Sequence, residues 1–404
     1  MVSPERRTRG DVVASAAMVV AVLVAATVLW RFGDARATVS EPATGPAPYA
    51  LVEPNTLPPA LAEVWSARSG ATPVPLVAGS TVVTADGREV IGRDPFTGER
   101  RWRYARDIDL CTAFSAWGSA VTVWTKDPKY CSEITSLTGD TGKRAGQRNG
   151  DAERGARMLF DGSHATAAGT GYLETFRSDL VRTDQYGLVP ALVNPGKQPR
   201  TGCTYTSVVA AANQLAVAER CGEGDGNRLT VVKANPKNAD EPEEIFSVQV
   251  STPVAMVVAM TTQRVVALLP GPNRLAVYDD KGNQIGEYPV TAVLPATNGT
   301  APVIADTTIT PSFVFWHTGS STIALDTTDL RPLWTVEDTL GSGVMLAGRL
   351  LVPAPDEIVV IDTATGDRIG TTPVDRGGYD GPVRLATAGS VVLEQRGDQL
   401  VALR

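Results

Sequence analysis

One short repeat constrains the fold of this 404-residue chain more than any other feature. An apolar stretch leads into an Asp/Thr/Gly turn, and in two of the three copies a Trp follows eight positions after the Asp. A strand that enters such a turn and leaves into a Trp-anchored strand is half of a propeller blade, and recurrence every forty-odd residues is typical of an array of blades. The residues of the repeat are Asp94, Thr97, Gly98 and Trp102; Asp326 and Trp334; and Asp362, Thr365 and Gly366.

The end of the chain predicts how such an array closes. Residues 383–403 supply three strands and then the sequence stops, whereas Leu61–Ser66, around Trp65, resembles the outer strand of the other blades. Joining the two termini in one blade removes an open sheet edge. The sequence therefore predicts an all-β, eight-bladed β-propeller of four-stranded antiparallel blades over residues 60–404. The other seven units lie at about 76–102, 109–148, 157–195, 203–250, 253–290, 301–336 and 342–374.

An apolar run near the N-terminus predicts a membrane anchor. Residues 12–30 carry no charge and are just long enough to cross a bilayer as a helix. Because Arg6, Arg7 and Arg9 precede this run, we expect residues 1–11 to stay in the cytoplasm and the remainder to be extracytoplasmic.

A cleaved signal peptide is the alternative interpretation of the same run. Ala35-Arg36-Ala37 has the small-x-small form of a cleavage site. We favour an uncleaved, single-pass anchor in the cell membrane, because the apolar run is longer than a signal-peptide core and Arg31 and Asp34 separate it from that site.

The segment between the apolar run and the propeller is predicted to be a tether. Residues 31–59 are rich in Pro and Ala and contain few side chains able to form a core. Such a stretch cannot bury enough apolar surface to offset its ordering entropy. We expect a semi-extended linker that holds the folded domain off the membrane.

The four cysteines predict two structural disulfides. A chain exported to an oxidising compartment tends to pair its thiols. Cys111 opens the first strand of the second blade and Cys131 follows its second strand; Cys203 and Cys221 take equivalent places in the fourth blade. The start of one antiparallel strand lies beside the end of the next, so we expect Cys111–Cys131 and Cys203–Cys221, each stabilising by about 3 kcal/mol.

Charge and residue types argue against several classes of function. A net charge of −7 without a clustered basic face does not suit nucleic acid. The two histidines, His164 and His317, stand far apart in sequence with no second ligand at motif spacing, which makes a zinc site improbable. A Ser/His/Asp triad would assemble only in space, and no nucleophile-elbow signature supports one. The repeat aspartates are better explained as turn caps than as metal ligands.

The Asp-x-x-Thr-Gly-x-x-x-Trp pattern resembles the repeat of the PQQ-like β-propellers, the family of the quinoproteins and of the assembly factor BamB. The resemblance covers about residues 60–404 and implies the fold, with the turn and the Trp as structural residues. The family's catalytic members carry an adjacent Cys-Cys pair, a calcium site and an Asp base. No two cysteines are adjacent here, so we expect neither a quinoprotein-type enzyme nor a cofactor.

The sequence-based hypothesis is a non-enzymatic, membrane-tethered extracytoplasmic propeller that binds an envelope or membrane protein partner. A small-molecule or glycan-binding propeller is the alternative. Loops after second and fourth strands emerge on one face of the ring, and both predicted disulfides pin that face. Preorganised loops lower the cost of binding, which makes this face the candidate binding surface. Its candidate residues are Lys126, Lys129, Tyr130 and Glu223.

Overall fold

The computed structural model of the protein describes residues 8–46, 48–125, 127–222, 226–296 and 299–404. These residues form an N-terminal apolar helix followed by an eight-bladed β-propeller of four-stranded antiparallel sheets. The predicted fold class is confirmed. Arg6 and Arg7, which carry part of the topology prediction, lie outside the described residues.

The apolar run forms helix α1 (Arg9–Phe32), which contains the predicted span 12–30. A capping box fixes its start: the backbone N–H of Asp11 donates to Thr8 Oγ1, and the backbone N–H of Thr8 donates to Asp11 Oδ2. Among the described residues α1 is the helix whose length and composition suit a membrane span. Three short elements follow, namely α2 (Asp34–Ala37), β1 (Val39–Glu41) and β2 (Glu63–Arg68).

The blades follow one another along the chain, each as four consecutive strands. Blade 1 contains β3 (Leu76–Ala78), β4 (Thr81–Asp86), β5 (Glu89–Arg93) and β6 (Arg100–Ala105). Blade 2 contains β7 (Leu110–Ala116), β8 (Ser119–Trp124), β9 (Glu133–Thr138) and β10 (Arg144–Asn149). Blade 3 contains β11 (Arg157–Phe160), β12 (Ala165–Ala168), β13 (Tyr172–Phe176) and β14 (Arg182–Gly187). Blade 4 contains β15 (Thr204–Ala211), β16 (Gln214–Arg220), β17 (Asn227–Lys233) and β18 (Glu244–Gln249).

The second half of the ring repeats the arrangement. Blade 5 contains β19 (Met256–Met260), β20 (Arg264–Leu269), β21 (Arg274–Asp279) and β22 (Gln284–Pro289). Blade 6 contains β23 (Asp306–Ile309), β24 (Phe313–His317), β25 (Ser321–Asp326) and β26 (Pro332–Glu337). Blade 7 contains β27 (Val344–Leu346), β28 (Arg349–Ala354), β29 (Glu357–Ile361) and β30 (Arg368–Pro373). Blade 8 contains β31 (Val383–Ala388), β32 (Val391–Arg396) and β33 (Gln399–Leu403), and β2 completes it.

Blade 8 joins the two ends of the domain as predicted. β2 pairs antiparallel with β33, with Trp65 opposite Ala402 and Arg68 opposite Gln399. The backbone N–H of Ala62 also donates to the carbonyl of Arg404, and that of Arg404 to the carbonyl of Ala62. The last strand of the chain is therefore internal to the sheet, and its edge is covered by the first strand of the ring.

Each of the three repeat tryptophans connects its own blade to the next one. Trp102 of blade 1 is buried, and its Nε1 donates to the carbonyl of Gly139 in the turn of blade 2 at 2.7 Å. The ring lies over Gly142, where a Cβ atom would approach it to 2.5 Å, so only glycine permits the contact. The same arrangement places Trp65 over Gly98 and Trp334 over Gly366.

Between blades 2 and 3 the glycine stands in the strand and the larger side chain stands in the turn, the reverse of the Trp102–Gly142 contact. Gly146 stands four residues after Gly142, the place that Trp102 takes after Gly98. Leu180 in the turn of blade 3 fills the space, and a Cβ on Gly146 would lie 3.4 Å from its Cδ1 atom. A motif of residue types does not reveal this contact, because it depends on how the side chains of two blades pack together.

The predicted tether is partly bound to the propeller. β1 lies within residues 31–59 and pairs antiparallel with β6, which makes blade 1 five-stranded. Further along, Ala43 donates its N–H to the carbonyl of Thr141, and Glu53 Oε1 accepts the N–H of Ala347 at 2.6 Å. Composition did not reveal this, because the contacts use backbone groups, which every residue type supplies.

We predict that deleting residues 399–404 unfolds the whole domain rather than fraying one end. The deletion removes the buried side chains of Leu400 and Leu403 and leaves β2 without a partner. Each such side chain contributes about 1.5–3 kcal/mol, against a net domain stability of about 5–15 kcal/mol. Thermal unfolding followed by circular dichroism measures the effect. An unchanged melting temperature would show that β33 does not close the ring.

Candidate functional site

The two faces of the ring are built from different loops. The loops after second and fourth strands form the face that carries all four cysteines, and we call it the disulfide face. The opposite face carries the Asp/Thr/Gly turns. There Asp94 Oδ1 accepts the N–H groups of Phe96 and Thr97, Asp326 Oδ1 accepts that of Thr328, and Asp362 Oδ1 accepts that of Ala364. These are the hydrogen bonds of turn-capping aspartates.

The structure brings the predicted cysteine pairs to disulfide distance. The sulfur atoms of Cys111 and Cys131 are 2.21 Å apart, and those of Cys203 and Cys221 are 2.04 Å apart. Each pair ties the loop after a second strand to the beginning of the first strand in the same blade. Both loops are thus fixed at their bases on one face.

The candidate binding residues of the disulfide face are only partly described. Lys129 is exposed, Tyr130 is half-buried, and Lys126 and Glu223 lie outside the described residues. The loop of Lys129 is held in shape by backbone contacts: Tyr130 bridges to Asp127 and to Glu153. Glu153 in turn accepts the N–H groups of Thr170 and Gly171 in blade 3, so this part of the surface has a fixed geometry.

Buried glutamates hold the connections that lead into several blades. Glu394 of blade 8 accepts two hydrogen bonds from the Arg376 guanidinium, at 2.8 and 3.1 Å, and both side chains are almost fully buried. Arg376 lies in the loop between blades 7 and 8 and also donates to the carbonyl of Ala354. Related anchors are Arg106 with Glu133, the Asp151 N–H with Glu174, and Arg200 with Glu219.

The anchor of blade 4 is part of a larger polar network. Glu219 accepts hydrogen bonds from the hydroxyls of Tyr186 (2.5 Å) and Thr230 (2.7 Å), and Arg200 also donates to the Tyr186 hydroxyl. Burial, and secondarily the charge of Glu219, raise the pKa of Tyr186. A buried charge is tolerated only when it is paired and hydrogen-bonded. These glutamates therefore act as internal anchors of the fold.

Blade 3 contains a second buried polar network, which is centred on Glu174. Glu174 accepts the N–H of Asp151 at 2.8 Å and an Arg182 contact at 3.3 Å, while burial raises its pKa. Tyr172 donates to Glu174 and accepts from Gln185. Sequence reasoning missed all of these residues. The available signal was a charged residue inside an otherwise apolar strand, and that pattern does not identify its partner.

His317 is the last residue of β24 and lies in a polar cluster. Its Nε2 faces the carbonyl of Thr339 at 3.0 Å, and its Nδ1 is 3.9 Å from Asp306 Oδ2. Ser342 donates to Asp306 Oδ1 at 3.1 Å, so the hydroxyl is bonded to the carboxylate and not to the imidazole. Desolvation lowers the pKa of His317. A hydrolytic triad needs the imidazole between the hydroxyl and the carboxylate, and this order differs.

The cysteines are not arranged as in the catalytic quinoproteins, which carry an adjacent Cys-Cys pair. All four cysteines belong to two separate intra-blade pairs, so no adjacent-cysteine disulfide is formed. Within the described ranges, no group of three or more His, Cys, Asp or Glu lies together in a way that suits a metal ion.

A segment of the blade 5–6 connection lies within the central channel. First strands line the ring centre, where β15 contacts β19 and β3 contacts β7. Val303 pairs in parallel with Ser207 of β15, in blade 4, before the chain enters β23 of blade 6. The Ser207 hydroxyl donates to the Val303 carbonyl at 2.8 Å, and Val303 donates its N–H to Thr206. Residues 303–305 therefore pass in front of blade 5 and occupy part of the channel.

Comparisons with known proteins identify the fold but no close relative. No family model matches the chain, and no curated protein matches it in sequence. BamB from Moraxella catarrhalis matches with a TM-score of 0.52 and 13% identity over 85% of this chain and 99% of BamB. Dihydro-heme d1 dehydrogenase NirN, solved in complex with DHE, matches with a TM-score of 0.52 and 16% identity over 81% of this chain and 72% of NirN.

Both neighbours are β-propellers of the PQQ-like type, which supports the resemblance at the level of the fold. One of the two is named a dehydrogenase. The fold by itself is thus compatible with an enzyme and with a scaffold, and function has to be argued from the chain's own residues.

Asp184 is a buried carboxyl group at the place that Trp102 has in blade 1. It lies opposite Thr175, and its Oδ1 atom finds no hydrogen-bond partner among the described residues. Desolvation raises the pKa of this carboxyl group from its ordinary value of 3.8 to about 8. The folded state therefore holds this proton at neutral pH, whereas the unfolded chain has lost it.

We predict that Asp184→Asn flattens the pH dependence of stability between pH 5 and pH 8. Because the pKa of Asp184 is higher in the folded state, its bound proton stabilises the fold. This stabilisation is complete below the unfolded-state pKa and is lost as the pH rises towards about 8. The wild type should lose about 1.4 kcal/mol per pH unit through this window on account of Asp184. Thermal unfolding at pH 5, 6, 7 and 8 tests this. Parallel curves for both proteins would contradict the assignment.

Proposed function

We propose that the protein is a non-enzymatic, membrane-tethered extracytoplasmic scaffold in the bacterial cell envelope, which binds an envelope or membrane protein partner. α1 supplies the tether, with the N-terminus in the cytoplasm. One observation carries the proposal: on the disulfide face, cysteine pairs and buried Arg–Glu anchors fix the loops while side chains such as Lys129 stay exposed.

Fixed loops suit protein recognition because they lose their conformational entropy on folding and not on binding. Each charge in the Arg376–Glu394 and Arg200–Glu219 pairs is neutralised by its partner, so these side chains stabilise the fold. A ligand site on the ring axis is the less favoured function. Residues 303–305 occupy part of the channel in which such a ligand would lie.

We predict that Lys129→Glu, combined with Tyr130→Ala, weakens partner binding without unfolding the domain. In-cell chemical crosslinking, followed by mass spectrometry of the crosslinked species, identifies and quantifies the partner. Lys237→Glu is the matched control, because Lys237 is also exposed but lies on the opposite face. Loss of the crosslinked species with the control variant alone would place the binding surface on the opposite face.

We predict that the mature protein in the membrane retains α1. The capped helix α1 extends over 24 residues, longer than a signal-peptide core. Intact-mass measurement of the detergent-extracted protein reads the N-terminus directly. A mature chain that begins near Thr38 would show that the segment is a cleaved signal peptide.

A further inference from the structure

The chain between the apolar helix and the propeller is short. α1 ends at Phe32 and β1 begins at Val39, so residues 33–38 form the whole connection. α2 takes four of these residues at a rise of about 1.5 Å each, and the others add at most about 3.6 Å each. The reach of the connection is on the order of 15 Å.

The register of β1 decides which face of the ring this connection meets. Val39 lies opposite Ala105, and Glu41 lies opposite Arg103. Ala105 is the last residue of β6, a fourth strand, and fourth strands end on the disulfide face. The chain therefore arrives from the membrane at the disulfide-face end of blade 1.

The connection is too short to let the opposite face approach the bilayer. Each blade is about 20 Å high, since β6 has six residues at about 3.3 Å per residue. A connection of about 15 Å cannot run that height and return to the membrane. Blade 1 is thus held with its disulfide face towards the lipid.

Exposed apolar side chains cluster on two further loops of the same face. The loop after blade 3 carries Leu188 and Val193, whose exposed fractions are 62% and 80%, and Leu192 lies beside them. The loop after blade 5 carries Val293 and Leu294 in succession, with Val293 58% exposed. Together with the anchor at blade 1, these loops give three contact points spread around the ring, which define a plane parallel to the face.

The opposite face also exposes apolar side chains, among them Tyr49 (95%) and Val52 (76%) of the N-terminal segment, so the short connection, and not the apolar side chains, decides which face meets the lipid. Val181 follows β13, and Ile309 ends β23 in another blade. Exposed charges on the disulfide face are of both signs: Lys129 and Arg154 are basic, and Asp375 is acidic. Apolar contact, rather than attraction to anionic lipid, is therefore the interaction that suits this face.

We propose that the disulfide face lies against the bilayer, with the loops 188–193 and 293–294 resting in its interfacial region. The occupant of this apolar surface is the lipid of the membrane in which α1 is anchored. The inference rests on the proposed retention of α1 and defines the orientation of the proposed scaffold. A partner that reaches Lys129 must then itself lie at the membrane surface.

Site-directed spin labelling of the full chain in phosphatidylcholine nanodiscs tests the orientation. Single cysteines are introduced by Val193→Cys and Val293→Cys, and by Val181→Cys and Ile309→Cys as matched controls on the opposite face. The described native cysteines are all paired, so the labels report the new positions. We expect the accessibility ratio of oxygen to a water-soluble nickel complex to be several-fold higher at 193 and 293 than at 181 and 309.

Equal ratios at all four positions, in nanodiscs that retain α1, would overturn the orientation and leave the scaffold proposal standing. Shielding of positions 193 and 293 only after a crosslinked protein partner is added would also overturn it, because lipid would then not be the occupant. Loss of α1 from the protein extracted from cells is a different failure: it would refute the membrane tether itself.

Discussion

The burial of both faces of every blade is the constraint on which the rest of the structure depends. Eight apolar clusters lie between successive blades, and each takes its residues from two neighbours. A row of such sheets always has two unsatisfied ends, so the row is stable only when it closes into a ring. β2 and β33 meet this requirement in one blade. The stability of the ring therefore depends on residues that stand at opposite ends of the domain.

Polar and covalent contacts hold the loops that join the blades. On the disulfide face, covalent and ionic contacts also fix the loops that connect the blades. Arg376 with Glu394, and Arg200 with Glu219, tie a loop to the blade that follows it. If one partner of such a buried ion pair moves away, the other is left as an unpaired buried charge. The pair therefore favours a single arrangement of each loop. The same contacts that order the ring also fix the geometry of the disulfide face.

The N-terminal segment links this surface to the proposed membrane tether. β1 adds a strand to blade 1, and Glu53 contacts blade 7, so the segment is bound along the ring. A propeller attached in this way has a restricted orientation, in contrast to a domain on a long flexible linker. The proposed binding surface and the proposed membrane contact then lie on the same face, which suits a partner in the membrane or at its surface.

The sequence alone determined the features that are encoded locally. Strand alternation, the Asp/Thr/Gly turn and its Trp predicted the blades, and the likeness of the strand around Trp65 to the outer strand of other blades predicted the closure. The spacing of Cys111 and Cys131 predicted their pairing, because both lie in one blade. Tertiary structure decided whatever depends on contacts between distant segments. The exchange of Gly146 and Leu180, the pairing of β1 with β6, and the passage of Val303 through the channel leave no local pattern. Packing between blades depends on how side chains from two blades fit together, and backbone pairing uses groups that every residue type supplies, so neither leaves a local pattern of residue types.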